Sequence, residues 1–309
     1  MKNALTKVAI AAAVITLGIA PLQANAAAVA MADLAITNLF LADANGIPIT
    51  SGINLLTNNN TGTAGSIYNG VPGVGAGPGT NSGSGNLNVT YQLAGASAAT
   101  ISPSYGGVLE NNSTSHISTP IANYALADMF INGDALSTGG AQGLTRANAA
   151  ATGPSNTGGA NATITNGAQV QTTFLALSTM VVELKLGYDI FVKTLLTLTA
   201  GESGAATAST GWGLQVVDDS TGSTLLRWDP TELTRNFSTF SSAAAQQHDY
   251  SSSGLLTSEQ RTIVGGQTYT ITVSQNSNAA IRDIPEPGSI ALLGLGLAGL
   301  AIARRRTVK

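Results

Sequence analysis

From Gln267 to Ser274 the chain alternates without a break, with Tyr269, Ile271 and Val273 on one side and Thr268, Thr270 and Thr272 on the other. Successive side chains of a strand point to opposite faces of a sheet, so this stretch predicts a strand with one face on a core and one in solvent. Gly265-Gly266 supplies the turn before it. No helical spacing of apolar residues separates it from similar stretches upstream. Val170 to Leu186 is β-rich, with Glu183 and Lys185 alternating outward near its end. Tyr188 to Ala200 continues it, with Phe191, Leu195 and Leu198 among threonines. Trp212 to Val217 and Thr224 to Trp228 flank Asp218-Asp219-Ser220-Thr221-Gly222-Ser223, which reads as a hairpin.

Nearer the N-terminus, residues 31–43 read as a first strand, with Leu34, Ile36 and Phe40 on one face and Asn45-Gly46-Ile47-Pro48 as the turn after it. Asn88 to Leu93 is a short strand with Val89, Tyr91 and Leu93 on one side. The apolar run in 119–133 is too short to separate strand from helix. Residues 57–87 and 135–168 are almost entirely Asn, Thr, Gly, Ser and Ala. Such stretches bury little apolar surface against their ordering entropy, so both are expected to be long loops. Strands spaced roughly 10 to 15 residues apart, without amphipathic helices between them, predict an all-β fold, an antiparallel β-sandwich with long Gly/Asn/Ser/Thr-rich loops. No fixed-period repeat argues for a solenoid or propeller.

Both ends of the chain have a different texture. Lys2 and Lys7 precede an apolar run from Val8 to Ile19, and Ala24-Asn25-Ala26 follows as an A-x-A site. This is the layout of a secretory signal peptide (1–26, a signal helix) cleaved after Ala26, so Ala24 and Ala26 are the expected signal-peptidase positions. At the far end, Pro285-Glu286-Pro287-Gly288 leads into an uncharged run, 289–303, closed by Arg304-Arg305-Arg306. As a helix that run reaches roughly 22 Å, short of a hydrocarbon core of about 30 Å; snorkelling arginines make it a thin transmembrane helix with a cytoplasmic tail. A buried core helix fits the length as well, but neither the terminal position nor the triple arginine.

This three-part ending, residues 284–309, resembles the PEP-CTERM sorting signal of Gram-negative bacteria. Ile284 stands where many members have Val. The resemblance implies that Pro285, Glu286, Pro287 and Arg304 to Arg306 form the sorting motif. It implies that the chain inserts transiently in the inner membrane, and that an exosortase removes the tail and passes the protein to the cell surface or extracellular matrix. It also implies an association with exopolysaccharide and biofilm, with glycosylation possible in principle. A permanent single-pass anchor is the alternative for the same residues.

Between the two signals lies an exported domain, 27–283. Over the mature region to Pro287, which leaves out Lys2, Lys7, Arg304, Arg305, Arg306 and Lys309, 7 of 13 basic residues remain against 16 acidic ones, Glu286 included, a net charge of about −9. A nucleic-acid footprint is therefore not expected. With no cysteine in the chain, disulfides, thiolate metal sites and Cys nucleophiles are excluded.

Chemistry is hard to find. Gly294-Leu-Gly-Leu-Ala-Gly299 fits G-x-G-x-x-G, but too few residues follow it for a dinucleotide site. The glycines instead allow close helix approach in a membrane. His116 and His248 have no nucleophile elbow or H-E-x-x-H beside them, and loop positions are expected for both. Asp218 and Asp219 lack the spacing of a calcium loop and read as turn formers. Trp212 and Trp228 are expected in the core, with a sugar-stacking platform as the alternative. Asn59, Asn88, Asn112, Asn161 and Asn236 begin Asn-x-Ser/Thr sequons, which arise by chance in so Asn-rich a chain. No catalytic residue, cofactor or metal is expected. The reading is a structural, matrix-associated surface protein, with a carbohydrate-binding module as runner-up, an enzyme third, and assembly through exposed sheet edges as a fourth option.

Overall fold

The structure is a computed structural model that describes residues 27–73, 80–82, 87–95, 123–137, 139–152, 161–197, 203–241 and 245–284. Every regular element among them is a strand. In chain order these are β1 (Ala27–Asp43), β2 (Ile53–Tyr68), β3 (Val71–Pro72), β4 (Thr80–Ser82), β5 (Leu87–Ala94), β6 (Tyr124–Asn132), β7 (Ala141–Thr152) and β8 (Asn161–Ala176). The series continues with β9 (Met180–Thr197), β10 (Ser203–Asp218), β11 (Ser223–Trp228), β12 (Arg235–Ser241), β13 (Gln246–Thr257), β14 (Arg261–Ile263) and β15 (Thr268–Ile284). The first sheet runs β13-β9-β1-β7-β6-β5, with β14 also on β9. The second runs β11-β10-β15-β8-β2-β3, with β12 also on β10 and β4 on β2. All pairings are antiparallel and the two sheets pack face to face, as the strand pattern predicts. The expected signal helix and transmembrane helix lie outside the described residues.

Alternation decides which residues enter the core. Tyr269, Ile271 and Val273 of β15 are buried, as are Val182, Leu184, Leu186, Ile190, Val192 and Leu196 of β9. On the face of β9 turned away from these residues, Lys185 places its Nζ 3.4 Å from Glu183 Oε1. The hairpin read at Asp218–Ser223 joins β10 to β11. Residues 124–132 settle as a strand rather than a helix.

The first strand departs from the simple reading. Leu34 and Ile36 face inward, but a β-bulge follows, with Asn38 at φ 52° and the register shifting between Ile36 and Leu39. The extra residue turns Leu39 and Leu41 into the core and leaves Phe40 half-buried on the other face. Gly140 fits against this bulge: at φ 67°, a Cβ there would lie 2.9 Å from backbone atoms of Asn38 and Leu39.

The expected loops are corrected too. All of 57–68 belongs to β2, and β7 and the start of β8 occupy much of 135–168. In β2 the buried positions alternate through Asn58, Asn60, Ala64, Ser66 and Tyr68. The strand keeps its register beyond a shift between Leu55 and Thr57, but its inward face is mostly small and polar. Buried hydrogen bonds replace apolar contact there: Thr172 Oγ1 donates to Asn58 Oδ1 (3.1 Å) and Asn58 Nδ2 donates to the Gly133 carbonyl (3.3 Å). Similar bonds tie the sheets together. Gln275 Nε2 of β15 donates to the Leu34 carbonyl (2.7 Å) and to Thr145 Oγ1 (3.1 Å). Ser277 Oγ lies 2.9 Å from Thr145 Oγ1 and donates to its carbonyl, and the Thr194 and Thr239 hydroxyls meet at 2.6 Å.

Candidate functional site

Three places gather the chain's chemistry: the end of the sandwich where both termini emerge, a buried charged row, and an open lateral seam.

At the first, Ala27 is paired with Thr197 in the first sheet and Ile284 with Ser203 in the second. Thr197 ends β9 and Ser203 begins β10, so six peptide steps, at most about 20 Å of chain, separate them. The strand that follows the expected signal-peptidase site and the strand that precedes Pro285 therefore finish at one pole. Neither is peripheral. β1 lies between β9 and β7, and β15 between β10 and β8. Ala28, Ala30 and Ala32 are buried within six residues of Ala26, and Ala279 and Ile281 within six of Pro285. Ala24, Ala26, Pro285, Glu286, Pro287, Arg304, Arg305 and Arg306 lie outside the described residues. No helix among the described residues is long and apolar enough to cross a membrane.

The charged row was not legible in the sequence. Asp33 of β1 is opposite Arg146 of β7, which is opposite Asp128 of β6. All three are at most 2% exposed. They sit on the face of the first sheet turned away from the second, since the core takes Ala32, Leu34, Ala127 and Ala147 of the other parity. Arg146 Nε is 3.6 Å from Asp33 Oδ1. The Asn148 amide, turned nitrogen-first as its neighbours require, donates to Asp33 Oδ1 and to the Ala147 carbonyl, both at 2.9 Å. Burial pushes the Asp128 carboxyl up to about 6, against the attraction of Arg146. A pair of catalytic carboxylates needs an open gap between its members for substrate or water. Here the guanidinium fills the strand between the two acids, so the row works as a buried ion cluster joining three strands.

The seam lies where β12 and β13, outermost on the same side of the two sheets, face each other. The Arg235 guanidinium lies 4.1 Å from the centre of the Tyr250 ring, and the Phe237 and His248 rings are 6.0 Å apart. A hydrogen bond from Arg235 holds the Tyr250 phenol below its ordinary range. His248 is thus on an exposed edge strand rather than in a loop; His116 lies outside the described residues.

Other candidates resolve simply. Asp218 Oδ1 accepts from Ser220 N (2.9 Å), and Gly222 N donates to the Asp218 carbonyl (2.7 Å). Asp219 Oδ2 accepts from Thr270 Oγ1 at 2.8 Å, so this segment is a turn held by its acids. Among the described residues, no group of three or more His, Asp or Glu could hold a metal ion. Trp212 is buried and meets half-buried Trp228 edge-on, with ring centres 5.4 Å apart, which is core packing rather than a flat sugar platform.

Compared with known families, residues 283–306 match the PEP-CTERM protein-sorting motif. The match begins at the last two residues of β15 and covers the Pro-Glu-Pro segment, the apolar run and the arginines. No curated protein matches the chain.

Proposed function

We propose, for a chain that carries a PEP-CTERM sorting motif, that residues 27–284 are the cargo: a non-catalytic β-sandwich serving as a structural component of a polysaccharide-rich surface matrix. The motif itself marks the chain for recognition by an exosortase and for export and sorting to the cell surface. The observation that carries the proposal is the junction at Ile284, where the sorting motif begins as the last core strand ends. Removing everything beyond Pro287 would leave β15 complete. A sandwich built this way tolerates loss of its tail, as a protein released from the membrane must.

The exported part has the build of a scaffold. Buried Asp33 and Asp128 flank Arg146, and hydroxyls and amides such as those of Thr145, Gln275 and Ser277 bond between strands. Fractionation of host cells tests the proposal. The wild-type protein is expected in the extracellular or surface fraction together with polysaccharide, and the Pro285→Ala/Glu286→Ala variant in the inner membrane. Equal distribution of the two would overturn the sorting role. Release of the wild type without any association with the matrix would overturn the structural one.

Carbohydrate binding is the second reading, and the seam is the observation that favours it. Phe237 and Tyr250 are half-exposed beside Arg235, which suits stacking and hydrogen bonding to a sugar. Saturable binding to the host polysaccharide, lost in Phe237→Ala, would promote that reading; no saturable binding would remove it.

A further inference from the structure

We propose that β13 is a self-pairing edge, through which one copy of this protein joins a second by antiparallel strand addition.

A free strand edge presents unpaired N–H and C=O groups, and proteins blunt it with Lys, Pro, a bulge, a short length or a cover. Among the described residues, β13 has none of these. It runs for 12 residues, Gln246–Thr257, and its pairing with β9 has no register break, whereas β1, β2 and β5 all shift register in theirs. Its sequence, Gln-Gln-His-Asp-Tyr-Ser-Ser-Ser-Gly-Leu-Leu-Thr, contains one formal charge, Asp249. Nine of its twelve residues are exposed, Leu255 at 86%. The other outer strands on that side are shorter: β12 has 7 residues, and β11 has 6 with the Arg227–Asp229 ion pair at its end.

The occupant follows from symmetry and charge. A twofold axis perpendicular to the sheet pairs an antiparallel strand with its own copy and keeps both inner faces on one side. The two registers that leave all but one of the twelve residues paired are centred on Ser251 or Ser252. In the first, Asp249 faces Ser253, Tyr250 faces Ser252 and His248 faces Gly254. In the second, Asp249 faces Leu255, Tyr250 faces Gly254 and His248 faces Leu256. Neither register places the acid against itself, so the strand is self-complementary in charge. The same rotation brings the two β12 strands toward each other, together with Phe240, which is 67% exposed.

The structural role proposed above gains a means of assembly from this edge, and that is the extent of its dependence. Failure of pairing would leave the sorting result intact, and failure of sorting would leave the pairing measurement intact.

The test exploits the absence of cysteine from the chain. Directly opposed residues of antiparallel strands have Cα atoms about 4.5 to 5.5 Å apart, within disulfide range. In protein purified from its host, either Ser251→Cys or Ser252→Cys is expected to give a covalent dimer on mild oxidation, and Thr63→Cys, exposed on β2 at the other side of the second sheet, to give none. Sedimentation equilibrium is expected to show concentration-dependent dimers of the wild type. The Asp249→Asn/Ser251→Lys/Ser253→Lys variant sets like charges opposite each other in both registers, with no acid left facing the lysines, and is expected to weaken dimerisation at least tenfold with little change in melting temperature. A wild type that stays monomeric, dimers indifferent to the two lysines, or cross-linking equal at position 63 would each overturn the proposal.

Discussion

Ala27 and Ile284 finish at the same pole of the sandwich, in different sheets, each paired with one end of the short link from Thr197 to Ser203. The chain thus enters and leaves the described body at one pole. The Asn45-Gly46 and Gly265-Gly266 turns lie at the opposite pole. Because β15 is central in its sheet, its final residues carry stability as well as position. Ile281→Ala is expected to cost about 2 to 4 kcal/mol in denaturant unfolding. A flexible insertion between Ile284 and Pro285 is expected to cost less than about 0.5 kcal/mol, as surface changes usually do. Equal effects would mean the end of β15 is not part of the core.

The node formed by Thr145, Gln275 and Ser277 gives a second prediction. Ser277→Ala removes both hydrogen bonds of its hydroxyl and leaves buried groups of Thr145 short of a partner. The expected loss is about 1 to 3 kcal/mol, read from the denaturation midpoint. No change would show that the node is incidental to the packing of the two sheets.

Much of the sandwich was legible because its inward faces are apolar. Tyr269, Ile271 and Val273 announce the start of β15, and the β10–β11 hairpin is visible from its Asp/Gly turn. The second half of β15 was not, since Gln275 and Ser277 occupy inward positions and erase the contrast in hydropathy. The same cause hid β2, where Asn58, Asn60 and Ser66 face in. Phe40 was assigned to the wrong face because a bulge at Asn38 shifts the register by one residue, which periodicity cannot foresee. The row of Asp33, Arg146 and Asp128 depends on which strands become neighbours, and no local spacing encodes that. The sorting motif was readable in full because its parts are contiguous.

Asp128 gives a pH prediction. Its carboxyl titrates at about 6 in the folded protein against an ordinary value of 3.8. Between those values the folded state keeps a proton that the unfolded chain has released. This contribution to stability is therefore fully present below about pH 4, is lost as the pH rises toward 6, and is flat above. A separation of about two units corresponds to about 3 kcal/mol at most. Asp128→Asn is expected to remove this component, so the difference in unfolding free energy between wild type and variant should change between pH 4 and 6. A constant difference across that range would contradict the assignment.

Trp212 provides a fourth. As a core residue, its replacement in Trp212→Ala is expected to cost about 3 to 5 kcal/mol, and the half-buried Trp228 less. Thermal melts would show this directly. A Trp212→Ala protein that keeps its melting temperature but loses polysaccharide binding would return the tryptophan pair to a ligand site.

The central claim is that residues 27–284 are a folded cargo released at its C-terminal junction. The direct measurement is intact mass with C-terminal peptide mapping of the protein from host cells with and without their exosortase. A C-terminus between Pro285 and Ser289 in the first, and retention through Lys309 in the second, is the predicted result. Retention through Lys309 in both would contradict release and make the apolar run a permanent anchor.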